Sequence, residues 1–171
     1  MRKYLAALLA FCFLPLSGCW DYKDLNKLSI VTGMAFDSAE DGKVKVTLEI
    51  VDRSSSPKKE GLRTRAVEVT GRDADEAVRK AAKGLDFELY FGAMAVAVFG
   101  KDTPYGDLRG WLLKNREVRE TVYIVFAEEA GAMLHTEEDD GIAAYKLRDI
   151  LDASKDAKPL ELYKAGGDSH G

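Results

Sequence analysis

Cysteine and histidine are scarce in this chain, with two of each among 171 residues. Two cysteines are too few for a disulfide framework. A surplus of positive charge is also missing, because Lys and Arg number 25 against 29 Asp and Glu, for a formal net charge of −4. A protein that binds nucleic acid needs a basic surface to neutralise phosphates. The charge balance therefore argues against nucleic acid as a partner.

Strong compositional bias is missing as well. Hydrophobic residues make up 46% of the chain and charged residues 32%, which is an ordinary balance for a globular domain. This balance argues against intrinsic disorder, a fibrous repeat and a membrane protein with several spans. The length suits one domain or two small ones.

The common catalytic motifs do not occur in the sequence. There is no G-x-S-x-G nucleophile elbow, no G-x-x-x-x-G-K phosphate loop and no G-x-G-x-x-G dinucleotide fingerprint. Ser54, Ser55 and Ser56 stand in a polar loop with no histidine nearby. We therefore predict that the chain is not an enzyme and holds no cofactor.

Two acidic stretches have some of the composition of a metal site. His135 precedes the acidic residues 137–140, yet no second histidine follows at i+4, and imidazole sites normally gather several ligands. Residues 37–42 are rich in oxygen but lack the spaced ligands and the distal Glu of a calcium loop. We interpret the first stretch as a solvated loop and the second as a hairpin turn, and we predict no metal site.

The first eighteen residues have the order of a secretory signal peptide. Arg2 and Lys3 give a cationic start, and residues 4–16 carry no charge. The apolar run is shorter than the roughly 20 residues of a transmembrane helix, and it fits the central region of a signal peptide. A buried N-terminal helix is the alternative interpretation.

The end of this segment, Leu16-Ser17-Gly18-Cys19, resembles a lipobox, the processing motif of bacterial lipoproteins. The thiol is the nucleophile that takes a diacylglyceryl group, and the small residues before it let the backbone enter the processing enzyme. Cleavage after residue 18 leaves Cys19 as the lipidated first residue. Two acyl chains suffice for a stable anchor, at about 0.8 kcal/mol for each buried CH₂. We therefore expect residues 1–18 to be a signal peptide and the mature chain to be attached to a membrane.

Alternating apolar and polar residues predict three strands early in the chain, over residues 28–36, 43–52 and 64–70. The second strand alternates most clearly, and we expect one face to point into the core and the other outward. The inward residues are Val44, Val46, Leu48 and Ile50, and the outward residues are Lys45, Thr47 and Glu49. A polar turn joins the first two strands into a hairpin, and residues 53–63 are predicted to form an exposed loop.

Two later stretches, residues 93–99 and 121–127, are apolar at almost every position. Such runs favour strands that are covered on both faces, and we expect these two to be the central pair of the sheet. Apolar spacing predicts helices from Asp73 to about Gly84, over 105–115 and over 142–153. Asp73 and Glu76 have the spacing of a capping box at the start of the first helix.

These elements predict an α+β domain with a mixed, mostly antiparallel central sheet of about five strands flanked by helices. The domain spans residues 19–153, and the polar residues 154–171 are expected to form a disordered tail. Tyr90-Phe91-Gly92 is the aromatic cluster that this arrangement explains least. Two interpretations remain open for it, a place in the core and an exposed edge that contacts a partner.

Three stretches of the sequence resemble one family. The first stretch is CWDYKDLN at 19–26 with IVTGMAFD at 30–37. The second consists of Gly71, Ala77, Ala81 and LYFG at 89–92, which leads into the apolar strand to Gly100. The third is LLKN at 112–115 with EVR at 117–119 and TVY at 121–123. They resemble the Ger(x)C spore-germination lipoproteins, the C subunits of germinant receptors in endospore-forming bacteria. Their order and spacing extend over most of the mature chain.

The resemblance implies the N-terminal α+β domain of a subunit without enzymatic activity. It implies a lipid-anchored protein on the outer face of the spore inner membrane, acting with two integral-membrane partners, the A and B subunits, that respond to nutrients. Only Cys19 carries over as a defined functional position. Family members are more than twice as long as this chain and have further domains.

Candidate contacts with those partners are Trp20, Asp21, Tyr90 and Phe91. At the position of Ala93 the family usually has a polar residue, often histidine, so a contact made there would differ in this chain. The alternative function is a solute-binding or other cell-envelope lipoprotein module, although solute binders usually need two lobes and about twice this length.

Overall fold

Six strands and three α-helices make up the part of the chain that the computed structural model describes, residues 28–52, 63–85, 88–135 and 141–154. The strands are β1 (Leu28–Ser38), β2 (Val44–Asp52), β3 (Arg63–Gly71), β4 (Glu88–Tyr90), β5 (Val96–Gly100) and β6 (Tyr123–Ala127). The helices are α1 (Ala74–Lys83), α2 (Tyr105–Lys114) and α3 (Ala143–Ala153), and short 3₁₀ turns lie at Glu40–Gly42 and Gly131–Leu134. The predicted signal peptide, most of the loop after β2 and nearly all of the C-terminal tail lie outside the described residues.

The strands form a mixed sheet in the order β3-β2-β1-β5-β6. The pairs β1–β2 and β2–β3 are antiparallel and contain the larger share of the paired residues. β5 runs parallel to β1, and β6 runs parallel to β5. β4 pairs in parallel with the first residues of β1, Leu28 to Ile30. The α+β prediction is confirmed, and the sixth strand is β4, which is too short at three residues to show a hydrophobic period.

Both faces of the sheet are covered. On one face, α1 and α2 pack over a core that includes Met34, Phe36, Leu48 and Phe99. On the other face, the turn at Gly131–Leu134 and α3 cover a smaller core, in which Ala35, Val96, Val98, Leu134 and Ala144 are buried. In β5 the side chains alternate between the two cores, as the pleat requires, with Ala97 and Phe99 on one face and Val96 and Val98 on the other.

The predicted outward face of β2 is therefore wrong for two residues. Thr47 and Glu49 are fully buried, with no exposed surface. They lie on the face that the chain covers again after β6, and both the turn at Gly131–Leu134 and α3 pack there. Polar residues at alternate positions indicate solvent in most sheets, but here a second layer covers them. The Glu49 carboxylate accepts hydrogen bonds under that layer, whereas the Thr47 hydroxyl has no hydrogen-bond partner among the described residues.

The predicted central pair is also wrong in part. β5 is buried at all five positions, as expected, but the middle strand of the sheet is β1, and β6 lies at the end of the strand order. Phe126 in β6 is 58% exposed. The apolar run in β6 has a different cause, because Tyr123 and Val125 pack toward the α3 core while the Phe126 ring rests on Tyr105 at 5.2 Å between ring centroids.

The ends of the early elements agree with the sequence patterns. The hairpin between β1 and β2 turns through Asp41 and Gly42, which both have positive φ, at 57° and 68°. Asp73 caps α1, since its carboxylate accepts the N–H of Glu76 at 2.7 Å. All three predicted helices are confirmed within one or two residues at each end.

Candidate functional site

A groove of about 640 Å³ lies where β4 ends and where β5 and β6 begin, with α3 along one side. Three tyrosines and two arginines line it, together with backbone of the segment between β4 and β5. They are Tyr90, Tyr123, Tyr145, Arg119 and Arg148. The groove combines aromatic surface with positive charge on a chain whose net charge is negative.

The segment between β4 and β5 is held in place by its buried aromatic residue. Phe91 is 5% exposed and packs edge to face against Trp111, with 5.7 Å between ring centroids. Its N–H donates to Glu117 Oε2 at 3.1 Å. Tyr90 is half-buried and lines the groove. A side chain on Gly92 would collide with the phenol of Tyr90, so glycine lets this ring lie against the backbone.

The α3 side of the groove is built from residues three and four apart on one helix face. The hydroxyl of Tyr123 donates to Asp152 Oδ1, and this hydrogen bond raises the pKa of Tyr123 above its ordinary value. The guanidinium of Arg148 lies over the Tyr145 ring, 4.9 Å from its centroid. It also donates to Asp149 at 2.8 Å, which raises the pKa of Arg148.

Arg119 differs from Arg148 in having no such partner. Its side chain is exposed and makes no hydrogen bond or ion pair with any residue in the described ranges. Arginine presents a planar fork of donors that suits carboxylates, and it stacks on aromatic rings. The groove therefore offers a cation and phenol groups to a ligand or partner, beside the carboxylate of Asp152.

The start of α3 is fixed by the buried carboxylate of Glu49. Its oxygens accept the N–H groups of Ala143 at 2.6 Å and Ala144 at 3.0 Å. They also accept the hydroxyls of Thr32 at 2.8 Å and Thr64 at 3.0 Å. A carboxylate at a helix N-terminus satisfies free amides and meets the positive end of the helix dipole. A residue of β2 thus caps a helix that begins 94 positions later.

Asp37 has a similar role at the 3₁₀ turn Gly131–Leu134. Its carboxylate accepts the N–H groups of Ala130 at 2.7 Å and Gly131 at 2.8 Å. His135 Nε2 lies 3.1 Å from Glu68 Oε1. No group of three or more potential metal ligands occurs within the described residues, and the acidic residues 137–140 lie outside them.

The structure separates the two members of the Tyr90-Phe91 pair. Phe91 belongs to the core, whereas Tyr90 lies in the groove and remains a candidate for contact with a partner. The other predicted site residues lie outside the described residues, namely Leu16, Ser17, Gly18, Cys19, Trp20 and Asp21. Sequence analysis missed Tyr145, Arg148 and Asp152. Their spacing of three and four indicates one helix face, but no local signal places that face beside Tyr90.

Two of the stretches that resemble Ger(x)C proteins meet at this groove. Tyr90, Gly92 and Ala93 come from the second stretch, and Arg119, Thr121 and Tyr123 come from the third. The hydrogen bond from Phe91 N–H to Glu117 joins the same two stretches. The N–H of Ala95 donates to Thr32 O at 2.8 Å, which connects them to the first.

Comparison with known proteins identifies the family of the chain. The family model described as the spore germination protein N-terminal domain matches residues 21–164. The chain belongs to this family. The Ger(x)C resemblance is thereby confirmed, and members of the family are germinant receptor subunits that are not known enzymes.

The chain is also similar in sequence to a curated protein of the family. Spore germination protein B3 of Bacillus subtilis (strain 168) is 26% identical over 136 residues, which cover 76% of this chain and 36% of the relative. The chain therefore spans about a third of the length of that relative. No solved structure matches significantly. Among the described residues of this Ger(x)C family protein, no helix is both long and apolar enough to cross a membrane.

Proposed function

We propose that this protein is a lipid-anchored subunit of a spore germinant receptor that acts through protein contacts in nutrient-triggered germination. The observation that carries the proposal is the family match over residues 21–164. Two of the Ger(x)C-like stretches also meet at one groove. The groove presents tyrosine and arginine side chains, which suit recognition of a protein surface.

The anchor in this proposal is Cys19. A diacylglyceryl group joined to its sulfur by a thioether bond, with cleavage after Gly18, holds the chain on the outer face of the spore inner membrane. Cleavage removes Arg2 and Lys3, so the net charge of −4 becomes −6. This charge gives no attraction to anionic lipids, so attachment rests on the acyl chains. Confinement to the membrane raises the effective concentration of the chain near its partners, as for any tethered module. The partners are the integral-membrane A and B subunits of the receptor.

The contact surface in this proposal includes the groove, in which Tyr90 is half-buried and Arg119 is exposed. Tyrosine and arginine are enriched where protein interfaces carry most of their binding energy. Phe91 acts from beneath, because it holds the segment that presents Tyr90. Trp20 and Asp21 follow the anchor directly and are proposed as contacts close to the membrane.

A cysteine substitution tests the anchored-receptor proposal in spores. We expect Cys19→Ala to abolish membrane retention and to reduce the germination response strongly, with circular dichroism of the purified chain unchanged. Cys12→Ala is the matched control, because residue 12 lies within the predicted signal peptide and leaves with it. An equal response from the wild type and Cys19→Ala contradicts the proposal, and so does a loss of folding that matches the loss of response.

A substitution in the groove tests the contact surface separately. We expect Tyr90→Ala to reduce co-purification of the A and B subunits from spore membranes by at least about fivefold, as for a residue that carries about 1 kcal/mol of binding energy. Met133→Ala is the control, since Met133 is 41% exposed on the 3₁₀ turn and does not line the groove. If Tyr90→Ala leaves the co-purification of the A and B subunits unchanged, the contact with them does not involve the groove.

The groove volume also supports the alternative of a solute-binding lipoprotein, because small-molecule sites commonly measure about 300–1,000 Å³. Calorimetry of the isolated chain with amino acids and sugars distinguishes the two functions. The receptor-contact proposal predicts no saturable heat, and a saturable site that Tyr90→Ala removes would favour the alternative.

A further inference from the structure

The two edge strands at the ends of the described strand order, β3 and β6, differ in the charge of their side chains. β3 carries charged side chains along its length, among them Arg65 and Glu68, which are exposed. Natural sheets commonly place charges on edge strands, where they discourage pairing with another chain. β6 has the sequence YIVFA and no charge at all. The β6 edge thus lacks the protection that the β3 edge has.

The backbone of β6 has donors and acceptors that face away from the sheet. Tyr123 N–H donates to Ala95 O at 2.9 Å, toward β5. In a parallel ladder, alternate residues direct both backbone groups to the same neighbour, so the N–H and C=O groups of Ile124 and Phe126 point away from β5. No strand in the described part of the chain pairs with them. The Phe126 side chain, 58% exposed, stands beside this open edge.

Unpaired charges of opposite sign lie at the two ends of β6. Arg119 precedes the strand and Glu129 follows it, and both are exposed. Neither makes an ion pair or hydrogen bond through its side chain with another described residue. A second β6 laid antiparallel along the open edge would place the Arg119 end of each copy beside the Glu129 end of the other. Arg119 and Glu129 are therefore complementary across a two-fold axis, with Glu120 next to Arg119, and Glu128, which pairs with Lys101, next to Glu129.

We propose that the open edge of β6 pairs antiparallel with the β6 of a second copy of this chain. Backbone hydrogen bonds from Ile124 and Phe126 join the copies, the two Phe126 rings lie close to the axis, and the Arg119 and Glu129 side chains pair at both ends. The strand has only five residues, so the interface is smaller than the about 1,200 Å² of a stable complex. The association is weak and reversible in solution.

Charge reversal at the strand ends tests this proposal with the purified full chain in non-ionic detergent, by sedimentation at concentrations up to about 1 mM, as a weak interface requires. We expect the wild type to form dimers. Arg119→Glu alone and Glu129→Arg alone each create two like-charged contacts and weaken association by about tenfold. The double variant in one chain, and an equal mixture of the two single variants, restore both contacts and recover the wild-type constant.

A second pair of variants tests the strand itself. Phe126→Lys places a charge on the open edge and is expected to weaken association by at least about tenfold. Ile150→Lys is the control, since Ile150 is an exposed hydrophobic residue of α3, at 66%, and is not part of β6, and it should leave association unchanged. A wild type that stays monomeric throughout overturns the proposal. Single and double charge variants that associate equally also overturn it.

Discussion

Glu49 connects three parts of the molecule through one buried side chain. Its carboxylate accepts two hydroxyl groups and the first two amides of α3. A buried carboxylate is costly unless its oxygens are hydrogen-bonded, and here each oxygen accepts two hydrogen bonds. The position of α3, and with it one side of the groove, therefore depends on this residue of β2.

We predict that Glu49→Ala lowers the free energy of unfolding by about 3 kcal/mol, because two helix amides and two hydroxyls lose their acceptor. Glu49→Gln keeps the size of the side chain and one acceptor oxygen, so its loss should be about half as large. Urea unfolding followed by circular dichroism measures both. Glu68→Ala, on an exposed position of β3, should change stability by less than about 1 kcal/mol. Equal effects of Glu49→Ala and Glu68→Ala would contradict the capping role.

Glu76 supplies a pH-dependent contribution at the start of α1. The N–H and Nε of Arg72 donate to Glu76 Oε2 at 2.8 and 2.9 Å. The backbone hydrogen bond is the largest cause, followed by the side-chain bond, and together they lower the pKa of Glu76 from 4.5 to about 2. A depressed pKa in the folded state stabilises the fold above the unfolded pKa. This stability is present above pH 4.5 and is lost as the pH falls toward 2.

We predict that Glu76→Gln flattens the decline in melting temperature between pH 4.5 and about 2, relative to the wild type. Thermal melts across that range measure the slope. Glu129→Gln is the matched control, since Glu129 is exposed and has no ion pair with another described residue. A wild-type slope that Glu76→Gln leaves unchanged would show that the helix start does not titrate in this way.

At the scale of elements, the sequence patterns predict the helices, strands and turns well, but they predict poorly which distant segments pack beside them. The hairpin, the capped start of α1 and all three helices follow from periodicity and turn chemistry. The pattern of β2 misleads at Thr47 and Glu49, because a later segment covers the face that would otherwise meet water. The pattern of β6 misleads in the opposite way, because its apolar run predicts a central strand, whereas β6 lies at the end of the strand order. Both errors arise from contacts between distant segments, which no local window contains.

Close packing between β1 and the second layer depends on Gly33. A Cβ at this position would lie 2.8 Å from Leu134 Cδ2 and 2.9 Å from the Ala144 Cβ, so we predict that Gly33→Ala destabilises the fold by about 2 kcal/mol. Gly110 in α2 has nothing within 4 Å of such a Cβ. Gly110→Ala should therefore stabilise the fold by about 0.5–1 kcal/mol through helix propensity. Chemical denaturation compares the two, and a stabilising Gly33→Ala would contradict the close approach.

At the scale of the whole molecule, the groove shows how far the sequence leads toward function. Tyr90 and Ala93 could be singled out because they stand in a stretch that resembles the family. Arg119 and Tyr123 belong to another such stretch, but their place beside Tyr90 depends on β6 lying parallel to β5. Tyr145 and Arg148 line the groove because hydrogen bonds to Glu49 and Tyr123 set the position of α3. The family could thus be predicted from motifs, whereas the groove required the fold.

Lipid anchoring through Cys19 is the claim on which the receptor proposal most depends. Mass spectrometry of the mature chain, purified from membranes of the native host, measures it directly. We predict an N-terminus at Cys19 whose mass includes the diacylglyceryl group, with residues 1–18 removed. A chain that retains residues 1–18 and carries an unmodified thiol at position 19 would contradict the account.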